Sequence, residues 1–338
     1  MTAAFRGEVR DWLAAHVPPG PLPSFDTAEG FERHRAWEHE LAAARLSVVS
    51  WPAAYGGRDA TLADWLVFEG EYYAAGAPAR VGQNGLFMLA PTLFSFGTGE
   101  QRDRLLPRAA GDDIWAQAWS EPEAGSDLAA LRSRGTRVPG GWLVSGTKTW
   151  CSRGAFAVRP IRQLGGRTRF AEIFLDEVFV PDSDVVGAPG DGWRIAMSTA
   201  SHERGLSLRS PGRFLAAAGR LVALWRRGGC DAALGERVAD AWIGARAYQL
   251  HTQATAARLA AGGTLGSEAS LGKVFWSELD VALHETALDL LGPWAEVRDG
   301  PDGRWLEDYL FALAGPIYAG TNEIQRTLIA ERLLGLPR

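Results

Sequence analysis

Residues 141–157 read GWLVSGTKTWCSRGAFA, and how they are read decides the fold. Trp, Val and Thr dominate the first ten positions, which is the composition of a β-strand. The same character returns in FAEIFL (170–175) and VFV (178–180), with Gly, Pro and Asp turn residues between the runs. A β segment is therefore expected between about 114 and 188. Working outward, both flanks change period. On the amino-terminal side Phe5, Val9, Trp12, Leu13 and His16 fall on one helical face that Pro18 and Pro19 end. Residues 30–48 and 60–110 continue in helical mode. On the carboxyl-terminal side helical period resumes at Gly192, and Phe214, Ala218, Leu221, Val222 and Trp225 form a stripe closed by Gly228 and Gly229. Residues 233–262, 268–292 and 316–335 predict three more helices, giving a four-helix array. The expected fold is mainly α with a small β domain: an N-terminal α-helical domain (1–113), a shortened β domain (114–188) and a C-terminal four-helix bundle (189–338).

The bulk properties fit a globular chain of more than one domain. Of 338 residues 46% are hydrophobic and 22% charged, and the formal net charge is -5. No basic run offers a nucleic-acid surface. The first twenty residues mix acidic and basic groups and do not read as a signal peptide, and nothing approaches the ~18 apolar residues of a membrane span. Two cysteines, Cys151 and Cys230, are too few for a disulfide framework. A cytoplasmic protein is the expectation. The 14 tryptophans fit wide interfaces, a pocket for a flat ligand, or core packing.

Several chemistries are unsupported. There is no GxSxG elbow and no HExxH. GSEASLGKV (266–274) departs from a phosphate loop in spacing and in its last residue, and GAPGDG (187–192) lacks the GxGxxG order. The six histidines are scattered, with His34 and His39 five apart, so no metal site is expected. SHERG (201–205) holds an acid, Glu203, at the far end of an apolar helix. Alone it reads as a solvated charge.

Longer stretches carry more. AWSEPEAGSDLAALRSRG (118–135), the segment 141–157 and IYAGTNEIQRTLIAERLLGLPR (317–338) closely resemble the acyl-CoA dehydrogenase family. WPAAYGG (51–57), VFVPDSDVVG (178–187) and GDGWRIAMSTASHERG (190–205) match in the same order. The resemblance implies an oxidoreductase that desaturates an acyl-CoA or acyl-carrier-protein thioester with FAD, acting in lipid metabolism. It places Trp119 and Ser120 against the flavin, Trp150 on its ring system, Ser152 near its reactive edge and Thr321 on the cofactor. Ser126 would lie near the pantetheine arm. Many members carry the base after the tyrosine of the terminal motif, here Ala319. In a second group it sits on the helix following the β domain, at the position of Glu203. The structural alternatives are a core-filling sheet tryptophan at 150, a turn hydroxyl at 126 and a helix N-cap at 321.

Three departures bear on the cofactor. SRGAFA runs directly into VRPIRQLGG where the family inserts two strands. The family's Arg-x-x-Phe-Gly element is missing after 205, which weakens the expected hold on a pyrophosphate. LDLLGPWA (288–295) puts Asp289 and Pro293 where a glutamine and a Gly-Gly pair are usual. A homo-oligomer or a mixed oligomer with a homologous subunit is expected. The alternative is a flavin-deficient member, either a non-redox enzyme on acyl thioesters or a non-catalytic subunit.

Overall fold

The computed structural model describes residues 2–152, 159–203, 210–298, 300 and 302–337, with the side chains of 2 and 201–203 outside the description. In chain order the elements are α1 (Thr2–His16), α2 (Ala28–Ala43), α3 (Leu62–Ala74), α4 (Ala90–Phe96), α5 (Gly99–Ala109), β1 (Arg134–Val138), β2 (Gly141–Ser152), β3 (Arg159–Ile161), β4 (Phe170–Pro181), α6 (Gly192–Glu203), α7 (Pro211–Arg227), α8 (Ala232–Ala260), α9 (Ala269–Leu291), α10 (Arg304–Ala312) and α11 (Asn322–Leu328). Among the described residues the chain is mainly α with one four-stranded sheet. Two compact units interleave along it. One comprises Met1–Val17, Thr61–Ala77 and Arg204–Arg338; the other comprises Pro18–Ala60 and Pro78–Glu203.

In the first unit the predicted stripe on α7 is buried: Phe214, Ala218 and Leu221 join Val238 and Tyr248 of α8, Trp276 and Leu283 of α9 and Trp305 of α10. Truncating such a residue to Ala typically costs about 2–5 kcal/mol, so this stripe fixes the bundle. α7 starts where Pro211 occupies the first turn and Ser210 caps the Gly212 amide. α3 lies close against it, because a Cβ on Gly212 would fall 2.7 Å from the Glu69 carbonyl oxygen. The core also holds charge. Arg213 Nη2 donates to Asp280 Oδ2 at 2.6 Å, with Asp280 buried. Burial works against the Arg213 charge, and Asp280 outweighs it and holds the guanidinium protonated. The helix expected over 316–335 begins later: a turn precedes Thr321, which caps α11, and a π-helical turn, Ile329–Leu333, follows.

The second unit carries the sheet, ordered β1-β2-β4-β3 and antiparallel throughout. The two β-favouring runs at 170–175 and 178–180 form one strand, β4. It stays continuous because Asp176 and Glu177 together stand opposite Ser145, with Glu177 in the left-handed region at φ 50. β2 carries its own extra residue: Thr149 and Trp150 face Glu172 alone, and Trp150 has φ 58. β1 lacks a run of β-favouring residues and is held by pairing with β2 rather than by propensity. No described helix is long and apolar enough to cross a membrane.

Candidate functional site

The second unit gathers four of the expected residues at one end of β2. The segment 117–121 runs antiparallel beside it: the Thr149 amide donates to the Ser120 carbonyl at 2.9 Å, and Gln117 bridges to Ser152. Lys148 Nζ reaches the Trp119 carbonyl at 3.3 Å. Trp119, Ser120, Trp150 and Ser152 are thus neighbours through backbone pairing. The extra residue in β2 sets where Trp150 points. Its indole meets Phe170 edge-on at 6.1 Å and 79°, and the residue is 58% exposed, so it does not fill the core. A bulky side chain in the left-handed region costs on the order of 1–2 kcal/mol. What it gains is a flat aromatic face presented outward. On the other side, buried Asn84 donates to the Ser152 carbonyl at 3.3 Å.

Sequence reasoning passed over the two groups that hold this arrangement. Glu121, next to Ser120, is buried and accepts from Lys148 Nζ (2.8 Å), Ser133 Oγ (2.5 Å) and the amides of Arg132 (2.6 Å) and Ser133 (3.0 Å). Burial alone would raise its pKa, but Lys148 and the three further donors bring it down to about 2. Ser133 comes this close because residue 146 is Gly: a Cβ there would lie 2.1 Å from Ser133 Oγ. The signal was present as a single Lys inside the β-favouring run, two residues before Trp150. A cation on a buried sheet face needs an acid.

Ser126 follows the turn closed by the Glu121–Ala124 bridge, and it is exposed. Glu203 closes α6, which is pinned to α4 by the 2.7 Å Thr199–Thr92 hydroxyl contact; the Glu203 side chain lies outside the described residues. Thr321 belongs to the first unit, where it is the N-cap of α11, accepting from the Ile324 amide at 3.3 Å. The turn before it contains two left-handed residues, Ala319 (φ 57) and Gly320 (φ 80), whose carbonyls accept from Gln325 Nε2 at 3.3 and 3.4 Å. Buried Asn322 ties the turn to α9, accepting from Lys273 Nζ (2.7 Å) and Ser277 Oγ (3.1 Å). Asp289, also in the first unit, pairs with Arg237 Nη1 at 2.5 Å.

The residues fit FAD unequally. Trp150 offers a planar face of the kind a flavin ring stacks on. Where the resemblance puts a glutamine and a Gly-Gly pair, Asp289 is an acid already paired within the bundle and Pro293 has no N–H to donate.

Comparison with known proteins identifies the family. Residues 2–113 match the acyl-CoA dehydrogenase N-terminal domain and residues 190–334 the acyl-CoA dehydrogenase C-terminal domain. This chain belongs to the acyl-CoA dehydrogenase family. It is 36% identical to acyl-CoA dehydrogenase IpdE1 of Mycobacterium tuberculosis, covering 99% of this chain and 97% of the relative. That alignment runs over 378 positions against a chain of 338, so at least 40 positions of the relative have no counterpart here. Among solved structures, the ChsE4-ChsE5 complex from Mycobacterium tuberculosis superposes with a TM-score of 0.85 at 25% identity, covering 100% of this chain and 97% of the other. A structure titled "Tcur3481-Tcur3483 steroid ACAD" gives 0.85 at 23% identity, covering 100% and 98%, a likeness of fold. Family members generally bind FAD.

Proposed function

We propose that this chain is a subunit of a flavin-dependent acyl-thioester dehydrogenase that introduces an α,β double bond into an acyl-CoA or carrier-bound acyl group. The observation that carries the reading is the set Trp119, Ser120, Trp150 and Ser152 side by side at the end of β2, with the indole of Trp150 facing outward. Trp150 would stack on the flavin ring, and Ser152 and the 119–120 backbone would hydrogen-bond its edge. Bound FAD supplies the acceptor for the hydride that leaves the β carbon. The protein's own task is the α proton. Ala319 has no acid to offer, so Glu203 is the base; a carboxylate takes that proton best when an apolar setting raises its pKa. Ser126 would meet the pantetheine arm.

The test is visible absorption by the purified chain, alone and with a homologous subunit, followed by addition of an acyl-CoA. Yellow protein that bleaches on addition supports the reading. Glu203→Gln should keep the colour and lose the bleaching; bleaching at the parent rate would move the base elsewhere. A mixed assembly is supported by the likeness to a complex of two different chains. The second reading, a flavin-deficient subunit or a non-redox enzyme on acyl thioesters, is favoured by the Asp289–Arg237 pair and the shortened sheet. Protein that stays colourless with FAD and with the partner supports it.

A further inference from the structure

Lys148 and Cys151 stand opposite Ile173 and Ala171 and share the closed face of the sheet, where both are buried. Trp150, between them, is displaced by the extra residue of β2 and opens to the other side. A buried ammonium needs partners, and the neighbouring segment supplies two acceptors: Glu121 Oε1 at 2.8 Å and the Trp119 carbonyl at 3.3 Å. The first balances the charge of Lys148. The second fixes a peptide plane.

The peptide joining Trp119 to Ser120 is trans, so its C=O and N–H point in opposite directions. With the Trp119 carbonyl drawn toward Lys148, the Ser120 N–H is turned away from the closed face, to the side on which Trp150 is exposed. The Ser120 carbonyl is engaged separately, accepting from the Thr149 amide at 2.9 Å. Among the described residues nothing accepts from the Ser120 amide. Ser120 stands at the Thr149 end of this pairing, and the Gln117–Ser152 bridge forms the other end. A hydrogen bond received by the carbonyl also polarises the N–H of the same peptide unit.

We propose that Lys148 is a positioning residue for the flavin: acting through the Trp119 carbonyl, it aims and strengthens the Ser120 N–H as a donor to the flavin edge, and so favours reduced over oxidised FAD. This rests on the flavin-dependent reading above and deepens it. Reduced flavin carries more negative charge than oxidised flavin, and a fixed donor aimed at its edge therefore binds it more tightly. Lys148 acts without touching the flavin.

The test is the potential of FAD bound to the whole protein, alone or with a homologous subunit, together with its affinity for oxidised and reduced FAD. Lys148→Met alone strands Glu121, so the variant is Lys148→Met with Glu121→Gln, which removes both charges and keeps an acceptor for Ser133 and the amides of 132 and 133. The preference for reduced FAD should fall about tenfold, which lowers the potential of a two-electron couple by about 30 mV. Asp280→Asn breaks a buried pair in the other unit, controls for lost stability, and should leave the potential where it was. A parent potential in the Lys148 variant, or an equal fall in Asp280→Asn, overturns the proposal. If the double variant does not fold or does not bind FAD, amide exchange on the parent decides. With FAD at about ten times its dissociation constant, the Ser120 amide should exchange about tenfold more slowly than without it; equal exchange overturns the proposal. A parent that takes up no FAD, alone or with the homologous subunit, overturns the flavin-dependent reading and this inference together, whereas a coloured parent with an unshifted variant overturns the inference alone.

Discussion

Glu121→Gln keeps the shape of the side chain that ties segment 117–121 to β2 and removes its charge. Lys148, buried against it, is then left without its acid. The magnitude follows from the carboxyl's titration. An ordinary glutamate titrates near 4.5, and this one is held at about 2. A folded-state value below the unfolded one adds stability that is complete above the unfolded value and disappears as pH falls through the folded one. A displacement of this size is worth about 3 kcal/mol at pH 7 and about 1 kcal/mol at pH 3. The figure at neutral pH agrees with the ~3–5 kcal/mol usual for breaking a buried ion pair. Urea unfolding of parent and variant at the two pH values measures it. The variant should be about 3 kcal/mol less stable at pH 7, with the gap narrowing by about 2 kcal/mol at pH 3. Equal stability at pH 7, or a gap that does not change with pH, would refute the assignment of Glu121 as the charged anchor of this end of the sheet.

Asp280→Asn leaves Arg213 charged in the bundle core and should cost about 3 kcal/mol in chemical denaturation, while Arg213→Met combined with Asp280→Leu should recover most of the loss; a cost below about 0.5 kcal/mol for the single change would contradict a buried pair. Cys151 is buried and its thiol is pushed up to about 11, with Lys148 opposing, whereas Cys230 is exposed. Thiolate is the reactive form, so a disulfide reagent at neutral pH should label Cys230 rapidly and Cys151 only on unfolding, and two rapid equivalents in the native protein would count against the burial.

The fold was legible where period and propensity acted alone. The α7 stripe and the two long helices after it were visible in the spacing of apolar residues, and β2 in its composition. What escaped depended on contacts distant in sequence. The run 170–180 looked like two strands because the extra residue at Glu177 interrupts its alternation, and only Ser145 on the facing strand makes it one. β1 has arginines where a strand usually has branched residues, so its pairing could not be foreseen. At the site, motif resemblance supplied Trp119, Ser120, Trp150 and Ser152, but Glu121, Lys148 and Asn84 entered through burial, which a linear pattern does not display. Thr321 was readable as a cap because Ser, Thr and Asn in front of a helix have a local partner.

The two extra residues in the sheet offset one another. Ser152 faces Phe170 and Gly141 faces Pro181 in the same phase, yet the stretch from Gly146 to Lys148 is displaced by one place. Because paired residues share a face, removing Trp150 alone would leave Thr149 opposite Glu172 and Ser152 still opposite Phe170, with that end of the ladder made regular. Removing Glu177 alone would likewise leave Asp176 opposite Ser145 and every other pair in place. A one-residue deletion at a regularly paired position would instead turn the side chains beyond it over, so these two points are where the strands can change length without inverting a face, and the loss at residue 150 would be confined to the indole itself.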